Sequence, residues 1–190
     1  KNLNKICDEF EYSIQAWKAF FGKLPNFSRM GEAVMNNQLS SLIDKYHIDF
    51  DFTCLSGRKR FDDNFQIDWL GSPQFKFKPS KENYRIPSSS NLSSRNYYQV
   101  PFTMIKMFDP YIKKDIKRYL NLCFKTDLIK NSFFDLKDFK YLVSVLHPHE
   151  IIPKKKKHNI LSFNKKTFTE NLLLLKKNFK SLKFCNAYEI

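Results

Sequence analysis

Apolar residues near the start of the chain recur every three or four positions, which is the spacing of one face of an α-helix. The positions are Leu3, Ile6, Phe10, Ile14, Trp17 and Phe21. This pattern predicts a helix over residues 2–21, and Gly22 supplies a stop signal at its C-terminal end. A second, shorter stripe of the same kind predicts another helix over residues 36–46.

The pattern changes after the second helix. HIDFDF, residues 47–52, alternates apolar and polar positions and predicts a strand. Residues 57–96 are punctuated by Gly, Pro and Ser and predict a long irregular segment with short extended pieces, such as QFKFK. NYYQVPFTM, residues 96–104, predicts a further strand. Asp109-Pro110 then forms a cap and first-turn pair, which predicts a helix carrying Ile112, Ile116 and Leu120.

The last third of the chain opens with YLVSVL, residues 141–146, a nearly continuous apolar run that is typical of a buried parallel strand. Such a strand would present His147 at its C-terminal end. Residues 167–170 form a capping box and predict a final helix. The alternation of helices and short strands predicts an α/β fold with parallel pairing, and the length predicts a single domain over residues 1–190.

Composition adds a strong positive charge to this picture. The net charge of +14 favours a polyanionic partner, although most lysines are scattered apart from the run at 154–157. The four cysteines have no metal-finger spacing. No apolar run approaches the ~20 residues that span a bilayer, and no signal peptide opens the chain. We therefore expect a protein without a transmembrane segment that is cytoplasmic or associated with the cell envelope.

Four residues are candidates for chemistry, because ligands gather at the carboxyl ends of parallel strands. His147 would lie at such an end, the alternative being a turn histidine. Arg29 follows the first helix and suits the fixed binding of a carboxylate, or forms a surface salt bridge. Asp51 ends a predicted strand. Trp69 lies in a Gly- and Pro-bounded loop, where it either stacks on a sugar or base or anchors the core.

Taken in order, these pieces resemble the polysaccharide deacetylase (NodB-homology) family over nearly the whole chain, as the C-terminal portion of that domain. PNFSRMGE resembles the family's P-x-F-R-x-G motif, DFTCLSG its D-S-S-x-x-x-G strand end, IDWLGSP its D-W-x-G-x-P loop, and QVP its E-x-P strand. The most specific resemblance is the closing element. VLHPHE, FTENLLLLKKNF and FCNAYEI are similar to a strand ending in L-H-P, a helix F-x-x-N-L-x-x-L and a final F-x-T-x-x-E.

The resemblance implies a distorted (β/α) barrel that removes acetyl groups from an amino sugar or sugar ester of a polysaccharide, in a cell-envelope setting. It implies a single divalent metal, with zinc as the first choice. His147 matches the family's general acid, with Leu146 packing beside it, and Arg29 matches the arginine that holds the catalytic base. Asp51 matches the acidic position of the fourth motif, and Trp69 is a candidate for lining the substrate groove.

The metal ligands of the family have no counterpart in this sequence. An Asp-Asp strand end and an H-x-x-x-H pair should precede the first helix, and Asp62-Asp63 instead follows a basic run in the long loop. No two of the histidines are four apart: they are His47, His147, His149 and His158. We expect the ligands outside this chain, with the first strands of a longer enzyme missing from the sequence. The alternatives are an inactive carbohydrate-binding relative and a basic RNA-binding component of a ribonucleoprotein, which the charge and aromatic content favour.

Overall fold

The computed structural model describes residues 3–61, 66–132, 136–137, 139–154, 158–179 and 181–190. Asp62-Asp63 and the last three lysines of the basic run lie outside these residues. The chain divides into two compact units, Lys1–Phe102 and Thr103–Ile190, and each is described by itself. A single domain over residues 1–190 stays a prediction. The α-helices are α1 (Leu3–Phe21), α2 (Asn37–Lys45), α3 (Thr126–Asn131) and α4 (Lys165–Asn178).

Two helices of the first unit confirm the predictions from periodicity. α1 buries Ile6, Phe10 and Ile14 on one face and ends where Gly22 adopts a φ of 70°. The backbone N–H of Gly22 donates to the carbonyl of Lys18 at 2.9 Å, as expected for a glycine stop. α2 begins after Asn36, whose side chain accepts the N–H of Leu39 and so caps the first turn.

A small parallel sheet lies at the centre of the first unit. Its strands are β1 (Phe27–Ser28), β2 (Phe50–Asp51) and β5 (Tyr98–Gln99), in the order β1-β2-β5. The register places Phe27, Phe50 and Tyr98 in one row, where their rings stack at 5.9 and 6.0 Å between centroids. The next row, at the carboxyl ends of the strands, consists of Ser28, Asp51 and Gln99.

The segment predicted to be irregular, residues 57–96, has short extended pieces as expected. It contains an antiparallel hairpin of β3 (Lys59–Phe61) and β4 (Gln66–Asp68). Isolated bridges then join Phe77 to Gln99 and Ser80 to Ser94. The side chain of Trp69 has no exposed surface and anchors the segment in the core.

The second unit opens with an antiparallel hairpin of β6 (Met104–Asp109) and β7 (Lys114–Tyr119), paired over six residues. The helix predicted from Asp109-Pro110 is therefore wrong. Asp109 instead organises a turn, because its Oδ1 accepts the N–H of Tyr111 at 2.8 Å and Oδ2 pairs with Arg118 at 3.3 Å. An Asp-Pro pair starts a turn as readily as a helix, and burial along β6 alternates as it does in a strand.

The strand predicted for residues 141–146 is also wrong, since these residues lie outside the strands. The segment is extended but is bonded at scattered points. Thr103 donates its N–H to the carbonyl of Val143 and accepts the N–H of Val143 on its hydroxyl, while Val145 donates to the carbonyl of Leu120. One of these bonds ends on a side chain, so no regular ladder forms.

The core of the second unit joins the hairpin to α3 and α4. It includes Ile105, Leu120, Ile129 and Leu175, and Phe168, Leu172 and Phe179 pack against it. α4 confirms the predicted final helix, although Asn164 rather than Thr167 provides its cap. The described strands form three small sheets, none of them closed, so the fold is mixed α/β and the deacetylase-type barrel stays a prediction. No described helix is long and apolar enough to cross a membrane.

Candidate functional site

In the first unit, the candidate residue Asp51 is completely buried at the carboxyl end of β2. Its Oδ1 accepts hydrogen bonds from the hydroxyls of Ser28 at 2.7 Å and Thr53 at 2.8 Å. Its Oδ2 accepts the backbone N–H of Thr53 at 3.0 Å and Nε2 of Gln99 at 2.8 Å. Burial raises the pKa of this carboxyl, and the donors oppose that shift. Because Asp51 has no exposed surface, it does not face a ligand directly and instead positions the residues that donate hydrogen bonds to it.

Those groups control the backbone on both sides of Arg29. Ser28 is tied directly to Asp51, and the N–H of Met30 donates to the hydroxyl of Thr53 at 2.9 Å. Because the same Thr53 hydroxyl donates to Asp51, one buried carboxylate fixes the residues immediately before and after Arg29. We call Ser28, Asp51, Thr53 and the Met30 N–H the carboxylate latch.

Arg29 itself is exposed, and its guanidinium carbon lies 5.0 Å from the ring centroid of Phe102. Among the described residues it forms no salt bridge, so the surface ion pair considered from sequence is not seen there. The side chain lines an open groove of about 440 Å³, which Phe10, Ile14 and Trp17 of α1 also line. A planar cation at the edge of such a groove is suited to binding a carboxylate or another anion.

Trp69 occupies the core rather than a surface. Its indole Nε1 donates to the carbonyl of Ala33 at 2.9 Å, and its ring meets that of Tyr84 edge-on at 5.0 Å. With no exposed area, the side chain favours the core-anchor alternative over contact with a ligand. The predicted substrate-binding role of Trp69 stays a prediction that this arrangement does not support.

In the second unit, His147 precedes a short 3-10 helix, Pro148–Ile151, and is held against a buried glutamate. Oε2 of Glu150 accepts the backbone N–H of His147 and Nδ2 of Asn121, each at 2.9 Å. Oε1 of Glu150 lies 3.2 Å from Nδ1 of His147, without the alignment of a hydrogen bond. We call His147, Glu150 and Asn121 the histidine triad.

The two edges of the His147 ring differ in exposure. Nδ1 is buried, yet the side chain as a whole is 42% exposed, so the accessible part is the rest of the ring. A histidine with one nitrogen beside a carboxylate and the opposite edge accessible has the arrangement of an acid–base group. Leu146, predicted to pack beside it in a substrate site, is 41% exposed.

The candidate residues fall into the two separate units. Arg29, Asp51 and Trp69 belong to the first unit, while Leu146 and His147 belong to the second. Within the first unit the structure brings Arg29 and Asp51 together through the carboxylate latch.

A metal site is not apparent in the part of the chain that the structure describes. No group of three or more His, Cys, Asp or Glu side chains is arranged there to hold an ion. The divalent metal that the resemblance implies stays a prediction, and we assign none of the described residues to it.

Sequence reasoning missed the partners of both candidates. Glu150 follows His147 by three residues, the spacing of a capping box, and this signal would have pointed to it. Thr53 carried no comparable signal, because one of the two residues that its hydroxyl bonds, Met30, lies 23 positions away in the sequence. Asn121 lies 29 positions from Glu150 and also escapes any local pattern.

Comparison of the chain with models of protein families, with curated proteins and with solved structures found no match. The sequence motifs and the geometry of the side chains are therefore the observations from which function is inferred.

Proposed function

We propose that the chain forms part of a carbohydrate deacetylase, which hydrolyses acetyl groups on an amino sugar or sugar ester of a polysaccharide. The observation that carries the proposal is the histidine triad, in which a buried carboxylate lies 3.2 Å from one ring nitrogen of a half-exposed imidazole. The proposal is also supported by the sequence motifs, which resemble those of the deacetylase family and occur in the same order along the chain. Residues 141–146 form no strand, so His147 does not lie at the carboxyl end of one.

In this proposal His147 is the general acid, which gives a proton to the leaving amine or alcohol of the sugar. Glu150 fixes the ring by accepting the His147 backbone N–H and by facing Nδ1. With Nδ1 facing Glu150, the accessible edge of the ring is the one from which a proton would be transferred. Asn121 completes the arrangement by donating to the same carboxylate, which keeps Glu150 oriented.

Arg29 has the role of holding an anionic group in fixed geometry. Its guanidinium lies over Phe102, an arrangement that favours a cation while leaving N–H donors available. The family resemblance implies that the anionic group held by Arg29 is the carboxylate of the catalytic base. The carboxylate latch fixes the backbone of Arg29 from both sides and so reduces the entropy that binding would otherwise cost.

The direct test is release of acetate from an acetylated oligosaccharide by the protein expressed in full from its own gene, with zinc supplied. We expect His147→Ala to lower turnover by about 10²- to 10⁴-fold, which is the usual effect of losing a general acid. His47→Ala is the control, because it removes an exposed imidazole of the first unit that lies outside the histidine triad.

Equal rates for His147→Ala and the unchanged protein would remove His147 from the mechanism. No acetate release from either N-acetylated or O-acetylated substrates would contradict the proposed function as a whole.

A further inference from the structure

Five rings of the second unit follow one another in a continuous row, in the order Tyr111, His158, Phe163, His149 and His147. The centroid distances along the row are 6.3, 5.6, 6.4 and 5.6 Å. Three of the chain's four histidines therefore lie in one set of touching rings. We call these residues the ring row, and its last member is the His147 of the histidine triad.

The ring row is accessible to solvent at several points. Tyr111 is 61% exposed, His149 is exposed, and the His147 side chain is 42% exposed. Aromatic rings of this size are usually drawn into a core, so an exposed series of them is a feature that calls for a ligand.

The middle of the row is held rigidly. Nδ1 of His158 accepts the backbone N–H groups of Ile160 at 3.1 Å and Leu161 at 3.0 Å. Because Nδ1 is an acceptor in both bonds, Nε2 carries the ring hydrogen and is the nitrogen that can donate to a ligand. The ammonium of Lys154 lies 4.4 Å from the Phe163 ring centroid and adds a fixed positive charge.

We propose that the ring row binds an extended saccharide chain and leads it to His147. A sugar ring offers an apolar C–H face to an aromatic ring and a rim of hydroxyls to imidazole and phenol groups, and the row supplies both kinds of contact. The inference rests on the proposed function for the role of His147, whereas binding along the row is a separate property.

A saccharide is the occupant that the side chains of the row favour, because imidazole and phenol groups that can bond to hydroxyls lie beside its ring surfaces. Binding of a nucleic acid instead is an outcome that the titration with RNA distinguishes.

The four histidines allow a direct test by NMR, since each gives one resolvable ring Cε1–Hε1 signal. The probes are the hexasaccharide of N-acetylglucosamine and an O-acetylated mannuronate oligomer, titrated into the full protein. We expect saturable shifts of the signals of His147, His149 and His158 with at least one probe. The signal of His47, which is exposed in the first unit, is the internal control and should not move.

Two substitutions test the row without touching His147. Tyr111→Ala and His149→Ala should each weaken binding of the probe by about fivefold or more, as expected for losing one ring contact. Tyr12→Ala removes a 77%-exposed tyrosine of the first unit and should leave the affinity unchanged. Equal losses in all three variants would contradict the proposal.

The absence of shifts with both probes at millimolar concentration would overturn the ring row as a saccharide site. Shifts produced by a poly(U) RNA and not by either saccharide would also overturn it, in favour of RNA. Saccharide shifts without acetate release would leave the row standing and contradict the deacetylase activity. Acetate release without shifts of His149 and His158 would leave the activity standing and contradict the row.

Discussion

The buried carboxyl group of Asp51 is stabilised by its hydrogen bonds. Four donors from Ser28, Thr53 and Gln99 converge on its two oxygens, and none of its surface is exposed. Desolvation of a carboxylate is costly, so removal of its partners or of the carboxylate itself affects the whole cluster. Asp51 therefore contributes to stability and to the position of Arg29 together.

We predict that Asp51→Ala lowers the free energy of unfolding of the first unit by about 3 kcal/mol, because it leaves buried donors without acceptors. Asp51→Asn should cost about 1 kcal/mol, since its amide oxygen can still accept from Thr53 and Gln99. Urea denaturation measures both values, with Glu82→Ala as an exposed carboxylate control. Equal effects of Asp51→Ala and Glu82→Ala would show that the carboxylate latch does not exist.

The positions of several candidate residues were predictable from the sequence, whereas their surroundings were not. Arg29 was found because it follows the first predicted helix, and Asp51 because it ends a predicted strand. The register of β1 and β2 brings their neighbourhoods together. The role of Asp51 as a buried tether was not predictable, because it depends on Gln99, which is 48 positions away. Trp69 was ambiguous for the same reason, since burial depends on distant residues such as Ala33.

At the scale of elements, local periodicity predicted the helices well and the strands poorly. α1, α2 and α4 have a repeated apolar stripe that specifies a helix within a single stretch of sequence. The hairpin of β6 and β7 was mistaken for a helix because Asp109-Pro110 is compatible with both. YLVSVL was mistaken for a buried strand because an apolar run does not reveal whether a partner offers a ladder of backbone bonds.

Two isoleucines distinguish the hairpin from the predicted helix. Ile105 is completely buried in β6, whereas Ile112 lies in the turn and is 56% exposed. We predict that Ile105→Ala destabilises the second unit by about 2–5 kcal/mol, as for a large core side chain. Ile112→Ala should change the free energy by no more than about 0.5 kcal/mol.

Urea unfolding monitored by circular dichroism measures the change in the free energy of unfolding for both variants. A large loss for Ile112→Ala with little change for Ile105→Ala would fit the helix, in which Ile112 faces the core, and would contradict the hairpin.

At the scale of the whole molecule, the cysteines report on the two units separately. Cys7 and Cys54 are buried in the first unit, Cys123 is buried in the second, and Cys185 is exposed. Burial raises the pKa of each buried thiol, that of Cys123 to about 11. Because the thiolate is the reactive form, these three cysteines should react slowly in the folded protein.

We predict that native protein labels rapidly at Cys185 alone when a thiol reagent is added near neutral pH. With increasing urea, Cys123 should become reactive at a different midpoint from Cys7 and Cys54 if the two units unfold independently. Mass spectrometry of labelled peptides measures each site. A common midpoint for all three buried thiols would show one cooperative domain, as the length of the sequence predicts.

The location of the tryptophans has an optical consequence. Trp17 and Trp69 are the two indoles of the chain, and both belong to the first unit, Trp69 without any contact with water. Their emission spectrum will therefore shift to longer wavelength when that unit opens. Fluorescence thus provides an optical signal for the half that carries Arg29, whereas the half that carries His147 contains no tryptophan.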